Sequence, residues 1–375
     1  MGLKTVCRRA LFCIFTVFVL PMCIFSAAKH SQYLSDIAEG SSELLMIRRG
    51  RKEICRDEIL PGTEISTQSY WDIALAENDS EPVADGTAVP SPLHSEDVDG
   101  MIPYPADLTD HDGAIEKYTY QRSDEPSFFN IFGGGQVRNC TLYDNNELIA
   151  LSRQGLPFDI DYPEGQPVIL IYHTHATESF ELEDKDWYDR DFNGKTTERD
   201  KNIISVGDRI CEQLDKAGIP YIHDTLVHDY PSYDNAYYSS RDAVQKILAE
   251  YPSIKVCLDI HRDGIERSDG TRIAPVAEIN GKEAAQIMII SCADDGSGNI
   301  PDFRENFSFA CVLQSKIENR FQGLTRPVLF DTRFYNQDLS SGSLLIEVGS
   351  HGNTLAQAQY SGELVGRALA DLFSE

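Results

Sequence analysis

Five short segments of this chain are apolar almost without a break, and that continuity limits the folds open to it. They are PVILIY (Pro167–Tyr172), IPYIH (Ile219–His223), KVCLDI (Lys255–Ile260), QIMIIS (Gln286–Ser291) and SLLIEV (Ser343–Val348). A strand with one wet face alternates apolar and polar residues, whereas strands covered on both faces read as these do. Helical periods fill the intervals. Lys201–Ala217 sets Ile203, Val206, Ile210 and Leu214 on one face and stops at Gly218, a residue suited to a left-handed C-terminal cap. Arg241–Glu250, Asp302–Phe321 and Thr354–Phe373 follow similar periods. Strands alternating with helices predict an α/β domain, a mainly parallel sheet flanked by helices, with its chemistry at the strand ends.

Three of the strand candidates run directly into polar groups. The first continues as Tyr172-His173-Thr174-His175-Ala176-Thr177-Glu178 and the second as Asp259-Ile260-His261-Arg262-Asp263; the third holds Glu347 before Val348 and Gly349. Parallel strands deliver their ends to one edge of a sheet, so the three groups can converge there. Two histidines and one or two carboxylates are what a catalytic zinc needs, with three protein ligands and a fourth position left for water. The ion lowers the pKa of that water to about 7, and a carboxylate outside the ligand set can take its proton. No GxSxG motif is present, and no cysteine has the setting of a nucleophile.

His173 and His175 together predict at least one ligand, and His261 is a second, although a histidine in that place also suits a hydrogen-bonded structural role. Glu347 is the candidate acid/base, because a carboxylate within an apolar strand is costly to bury unless it is paired or functional. Glu178 and Glu198 are weaker candidates, since glutamates are common on surfaces, and Asp259 reads as a partner behind a ligand. His94, His111, His223, His228 and His351 lack a comparable setting.

The rest of the chain supplies context. Lys4, Arg8 and Arg9 precede an uncharged apolar run from Ala10 to Ala28, near the roughly 20 residues of a spanning helix. Residues 1–30 therefore predict a membrane anchor with the remainder outside the cytoplasm; Ser26, Ala27 and Ala28 leave cleavage as a signal peptide open. From Ala76 to Ile115 there are ten acidic residues and no Lys or Arg, with prolines at 82, 90, 92, 103 and 105, which predicts a disordered acidic linker within residues 31–116. Residues 117–375 form the predicted catalytic domain. A net charge of −27 argues against nucleic acid as a partner. The nine cysteines include no CxxC pair, and Cys257 reads as a small buried hydrophobe.

Taken in order, VILIYHTHATESF, LDIHRDG, RFYNQDL (Arg333–Leu339) and LLIEVGSHGNT resemble the stage II sporulation protein P family of spore-forming bacteria, from about Val137 to the C-terminus. That family is similar in turn to the zinc N-acetylmuramoyl-L-alanine amidases of the cell wall, which have two strand-end histidines and a Glu opening the first helix as ligands. A late-strand Glu, followed by Gly and Asn, is their acid/base. The resemblance implies His175, Glu198 and His261 as zinc ligands and Glu347 as the catalytic residue, with Gly349 and Asn353 completing its motif. Glu178 is the alternative to Glu198. His173, in a segment that replaces the amidases' glycine-rich turn, would ligate metal or hydrogen-bond substrate. Arg262, Asn336, Gln337 and Asp338 would be secondary or substrate-binding residues, the last three with the alternative of a polar loop capping a helix.

The resemblance further implies peptidoglycan as substrate and cleavage of the muramoyl–alanine amide, with endopeptidase cleavage of stem-peptide crosslinks associated with the family as well. The setting it implies is forespore engulfment, at a single-pass anchor facing the space between forespore and mother cell, beside stage II sporulation proteins D and M. A zinc peptidase acting on crosslinks alone, and a non-catalytic wall-binding scaffold, are the competing readings.

Overall fold

Ile169–Tyr172 (β5), Val256–Asp263 (β9) and Ser343–Ser350 (β14) lie side by side and parallel, so the three polar strand ends do emerge together. They belong to an eight-stranded sheet in a computed structural model that describes residues 92–160 and 163–374. Its order is β3 (Phe128–Asn130), β4 (Gln136–Asn139), β13 (Val328–Asp331), β12 (Ile287–Cys292), β14, β9, β5 and β7 (Tyr221–His223). The predicted strands Pro167–Tyr172, Ile219–His223, Lys255–Ile260, Gln286–Ser291 and Ser343–Val348 each coincide with one of its strands to within two residues at either end, except that β9 runs on to Asp263.

The sheet is mixed rather than mainly parallel. β4, β13 and β12 form one parallel block and β14, β9, β5 and β7 another, and the blocks meet antiparallel between β12 and β14. β3 pairs antiparallel with β4 at the edge. Continuous apolar runs report burial on both faces, not strand direction. Direction follows the connections: a helix intervenes between β5 and β7, between β12 and β13, and before β9, and the pairs β5–β7, β12–β13, β5–β9 and β9–β14 are parallel. Between β9 and β12 the chain instead makes a hairpin of β10 (Arg272–Ile279) and β11 (Lys282–Ala285), turned at Asn280-Gly281 with positive φ at both residues. The hairpin joins β2 (Gly113–Tyr118) and β6 (Trp187–Tyr188) in a second, four-stranded sheet.

The predicted helices stand nearly where their periods place them, and short ones precede them at α1 (Ser95–Val98) and α2 (Asn145–Leu151). The long helices are α3 (Ile203–Ala217), α4 (Ala236–Glu250), α5 (Phe303–Arg320) and α6 (Leu355–Phe373). Asn202 caps α3 by accepting from Ile204 N–H, and Gly218 ends it at φ 71°. Thr354 and Gln357 form a reciprocal capping box at the start of α6. Val244 of α4 shares a core cluster with Leu170, Tyr172 and Cys257, while α3 contacts β5 and β9 and packs along α6.

The segment expected to anchor in the membrane, and the linker as far as residue 91, lie outside the described residues; no described helix is long and apolar enough to cross a membrane. From residue 92 the expected linker is folded. Leu93–His94 (β1) pairs with Leu226–Val227 (β8), and Val98 is fully buried with Ala176, Ile204 and Val227. Ile102 exchanges hydrogen bonds with Thr197, and Ile115 packs on Tyr188 and Ala274. Average composition hides these spaced apolar anchors. The acidic groups stay at the surface, where Glu96 pairs with Arg199.

The tightest helix contact is that of α6 on α3. A Cβ at Gly366 would stand 2.7 Å from the Ile210 carbonyl oxygen and 2.9 Å from Ile210 Cα, both backbone atoms. Gly366→Ala gains about 1 kcal/mol of helix propensity and meets an overpacking cost of about 1–3 kcal/mol. Net destabilisation is expected, with a melting temperature about 2–4 °C lower in a thermal unfolding scan; a rise would show that the helices can move apart at little cost.

Candidate active site

The loop after β5 is fastened at each step. Thr174 donates through its N–H (2.8 Å) and hydroxyl (2.6 Å) to Asp259, and Thr177 donates through its hydroxyl to Asp229. Glu178, 1% exposed, accepts from Arg262 N–H at 2.9 Å. The loop thus brings His175 and Glu178 to the end of β9. The His175 and His261 rings lie edge to face with centroids 5.3 Å apart, and Glu178 Oε2 is 3.6 Å from His261 Nδ1.

Glu347 is the register partner of His261 across β14 and β9, so the two side chains rise on one face. Beyond Glu347 the pairing slips by a bulge, and Gly349 takes φ 62°. A Cβ there would stand 2.5 Å from Asn353 Oδ1. Asn353 accepts from Ser350 N–H and donates to the Pro275 carbonyl and Gln357, which locks the turn into α6.

The electrostatics are set by burial and by crowded carboxylates. Burial alone would lower the His261 pKa; the charges of Asp259, Glu178 and Glu347 outweigh it and push it up to about 10. His175 moves the other way, well below its usual value, through burial and the nearby cations His261, Lys195 and Arg262. Burial, reinforced by Asp263 and Glu178 and opposed by His261 and Arg326, raises the Glu347 carboxyl well above the carboxylate range.

Zinc is the metal the resemblance implies. Among the described residues, no three His, Cys, Asp or Glu side chains are gathered closely enough to hold an ion. The donors nonetheless fit zinc in kind. His175 Nδ1, His261 Nε2 and Glu347 Oε2 are buried without hydrogen-bond partners, although His261 Nε2 lies 2.9 Å from Asp259 Oδ1. Two imidazoles beside a buried Glu178 are the ligand types zinc takes.

Residues 107–370 match the model of the family described as stage II sporulation protein P (SpoIIP). The chain belongs to that family. It is 31% identical over 219 residues to the stage II sporulation protein P of Bacillus subtilis (strain 168), a match covering 56% of this chain and 50% of that protein. The chain therefore spans about half the length of this curated relative. Among solved structures it is similar to the N-acetylmuramoyl-L-alanine amidase AmiC2 of Nostoc punctiforme, with a TM-score of 0.36 and 13% identity over 57% of this chain and 100% of the amidase. It is also similar to the CwlD amidase from Clostridioides difficile in complex with the GerS lipoprotein, with a TM-score of 0.34 and 11% identity over 55% of this chain and 98% of that one.

In this SpoIIP-family chain His175, Glu178, His261 and Glu347 come together, and Glu198 does not join them. Glu198 precedes the short 3-10 turn Arg199–Lys201, where it accepts from Tyr104 N–H at 2.7 Å and pairs with Lys201. Lys201 holds its carboxyl below the usual range. His173 has both nitrogens engaged. Nδ1 donates to the Ile260 carbonyl (3.1 Å), which leaves Nε2 to accept from His223 Nε2 at 2.9 Å. Burial and the neighbouring His223 push the His173 pKa down to about 3. Room for this pair exists because α3 has Gly207 there; a Cβ would lie 2.6 Å from each Nε2.

Arg262 is a clamp on the loop. It donates to the carbonyls of Ser179 (2.5 Å) and Gly194 (2.8 Å). Asn336, Gln337 and Asp338 are likewise turned to protein, the first two almost fully buried. Asn336 donates to Ser240 Oγ and the Tyr237 carbonyl, Gln337 bridges Cys292 N–H and the Ile290 carbonyl, and Asp338 pairs with Arg241.

Sequence reasoning missed the aromatic wall. Tyr233 stacks on His175 at 4.4 Å, and Tyr237 lies beside both histidines. Its only sequence signal is the tyrosine-rich stretch DYPSYDNAYY (229–238). Burial and the neighbouring Tyr335, Asp259 and Glu347 raise the Tyr237 pKa well above the usual value, so the phenol keeps its proton.

Arg262→Lys keeps the charge and loses the fork that reaches two carbonyls. Two buried acceptors cannot both be recovered, so a loss of about 1–3 kcal/mol in urea unfolding is expected, together with faster proteolysis between Leu182 and Gly194. Unchanged stability and cleavage would mean the loop holds without the clamp.

Proposed function

We propose that this chain is a zinc-dependent cell-wall hydrolase that cleaves the amide between N-acetylmuramic acid and the L-alanine of the stem peptide in peptidoglycan. The observation that carries the reading is Glu347, a buried carboxylate with an unpartnered oxygen, in register with His261 and one ring away from His175. Family membership supports the sporulation setting and, through the resemblance, the substrate class, the membrane tether and the company of proteins D and M.

His175, Glu178 and His261 would hold the zinc, with Glu178 preferred to Glu198 because it is the glutamate beside His261. When bound, zinc supplies a Lewis acid that polarises the amide and acidifies water. The chain's own part is to place that water and move its proton. Water oxygen bonds to the amide carbonyl carbon while Glu347 takes one water proton; Glu347 then delivers it to the amide nitrogen as the C–N bond breaks. The products are a lactyl carboxylate on the glycan and a stem peptide with a free amine. Glu347 Oε2, buried and unpartnered, is the oxygen available to take up and release that proton.

The full chain, purified in detergent and given purified peptidoglycan with zinc or with chelator, is expected to release intact stem peptides in the zinc sample alone, as read by mass spectrometry. Shortened crosslinks without stem-peptide release would replace the amidase with a crosslink peptidase. Glu347→Gln should keep wild-type zinc content and lose turnover by about 10²–10³-fold; a loss below tenfold would remove Glu347 as the base. His261→Ala should lose bound zinc. Glu178→Gln should lose most of it while Glu198→Gln retains it, and the opposite pattern in metal analysis would restore Glu198 to the ligand set.

A further inference from the structure

Tyr237 stands in the first turn of α4, the helix whose N-terminal end faces the site. Its ring is parallel to that of His261, 6.4 Å away at 8°, and meets the His175 ring edge-on at 5.4 Å and 89°. Tyr335 closes the far side at 5.5 Å. The half-buried phenol therefore flanks the space between the two histidines. Its hydroxyl makes no hydrogen bond to any described residue, whereas Tyr335's hydroxyl accepts from Arg333 at 2.9 Å. With no partner among the described residues, the hydroxyl of this half-buried ring is free to donate to what enters the site.

The surroundings hold this ring at considerable cost. Tyr335 and Asn336 are consecutive non-glycine residues at positive φ, 46° and 55°. Such conformations are disfavoured for residues with a side chain and persist where neighbours over-determine them. Here the neighbours are visible. Asn336 donates to the Tyr237 carbonyl (3.3 Å) and to Ser240, and Asp338 grips Arg241 through both oxygens at 2.7 and 2.5 Å. Gln337 anchors the same turn to the end of β12. The residues that the sequence suggested for substrate contact thus fix the first turn of α4, and Tyr237 is the member of that turn that faces the histidines.

We propose that Tyr237 is a catalytic residue whose phenolic O–H donates a hydrogen bond to the carbonyl oxygen of the scissile amide as that oxygen gains negative charge. This role rests on the hydrolase reading above. Tyr237 keeps its proton throughout; the proton taken from water travels only through Glu347 to the leaving nitrogen. A neutral donor placed where charge develops stabilises the transition state more than the substrate, so its removal appears in kcat rather than KM. Ring packing alone would be served equally well by phenylalanine.

The test is Tyr237→Phe in the full chain. Turnover of purified peptidoglycan is expected to fall about 10²–10³-fold with KM within a factor of three of wild type, and with zinc content and melting temperature unchanged. The second measurement is calorimetric binding of a phosphinate that mimics the tetrahedral state of the muramoyl–alanine amide. The variant should bind it at least tenfold more weakly, while binding of uncleaved substrate in the Glu347→Gln background stays the same with or without Tyr237→Phe. An active wild type beside a Tyr237→Phe enzyme of near-normal kcat and phosphinate affinity overturns the role of Tyr237 and leaves the hydrolase reading standing. A wild type that neither cleaves peptidoglycan nor binds the phosphinate overturns both.

Discussion

The site depends on the buried carboxylate of Asp259. It is wholly inaccessible, and an unpartnered charge so placed would be expelled or neutralised. Asp259 is instead satisfied by the N–H and hydroxyl of Thr174, from the loop that carries His175, while its Oδ1 lies against His261 two residues along its own strand. One side chain therefore ties the end of β5 to the end of β9. Without it, the Thr174 N–H would be unmet and its hydroxyl would keep Ser240 alone, so the loop that carries His175 would lose its tie to β9. Its register partners, Tyr172 on β5 and Leu345 on β14, place it at the middle of the three-strand block.

Around that tie the protein gathers more negative charge than a folded core tolerates easily. Asp259, Glu178, Glu347 and Asp263 all lie within a few residues of the strand ends, and Asp263 and Glu178 add to burial in opposing the charge of Glu347. Two arginines offset part of the cost in different ways. Arg326 pairs with Asp263 at 2.8 Å, and Arg262 spends its donors on loop carbonyls, so it contributes field without forming a tight pair with any site carboxylate. The high pKa of His261 expresses the remainder: this arrangement favours a positive charge at its centre. Such a concentration of acid is a poor choice for stability alone, which points to chemistry as the reason for it.

Much of this was legible in the sequence, because the strand-end histidines and Glu347 each broke an otherwise apolar run, and burial of a polar group in such a run has few explanations. The long helices were legible from period and caps, Gly218 among them. Other features carried signals that the apolar-run criterion passes over. The dipeptide Asn280-Gly281 marks the turn of the β10–β11 hairpin that replaces a helical crossover between β9 and β12. Glu198 suited the start of a helix by spacing, but spacing along a chain cannot tell a residue on a turn from one folded back beneath it, as Glu178 is. His173 shows the converse: a histidine in an apolar setting whose demands are met by Ile260 and His223 alone. The tyrosine wall was harder to read for a plainer reason, since Tyr233 and Tyr237 come from the stretch leading into the first turn of α4 and Tyr335 from the turn after β13, which only the fold brings together.

The mixed sheet explains why the site has one chemical side. Glu347 sits on β14, where the two parallel blocks meet. On one side its neighbour is His261, and past it lies the His175 loop; on the other its register partner is Met288 of the antiparallel β12. At that level the antiparallel β12 presents its first residues rather than its last, so no strand C-terminal end with its following loop arrives there. Arg326 instead contacts both Met288 sulfur (3.0 Å) and Asp263, closing that flank with a buried ion pair. A fully parallel sheet would have brought another strand end, and with it more backbone groups to satisfy, beside Glu347. The reversal keeps the carboxylate half enclosed by apolar surface, which raises its pKa, and leaves its open half toward the histidines and Tyr237. Strand direction, the feature least visible in the sequence, is thus what gives Glu347 two unlike surroundings.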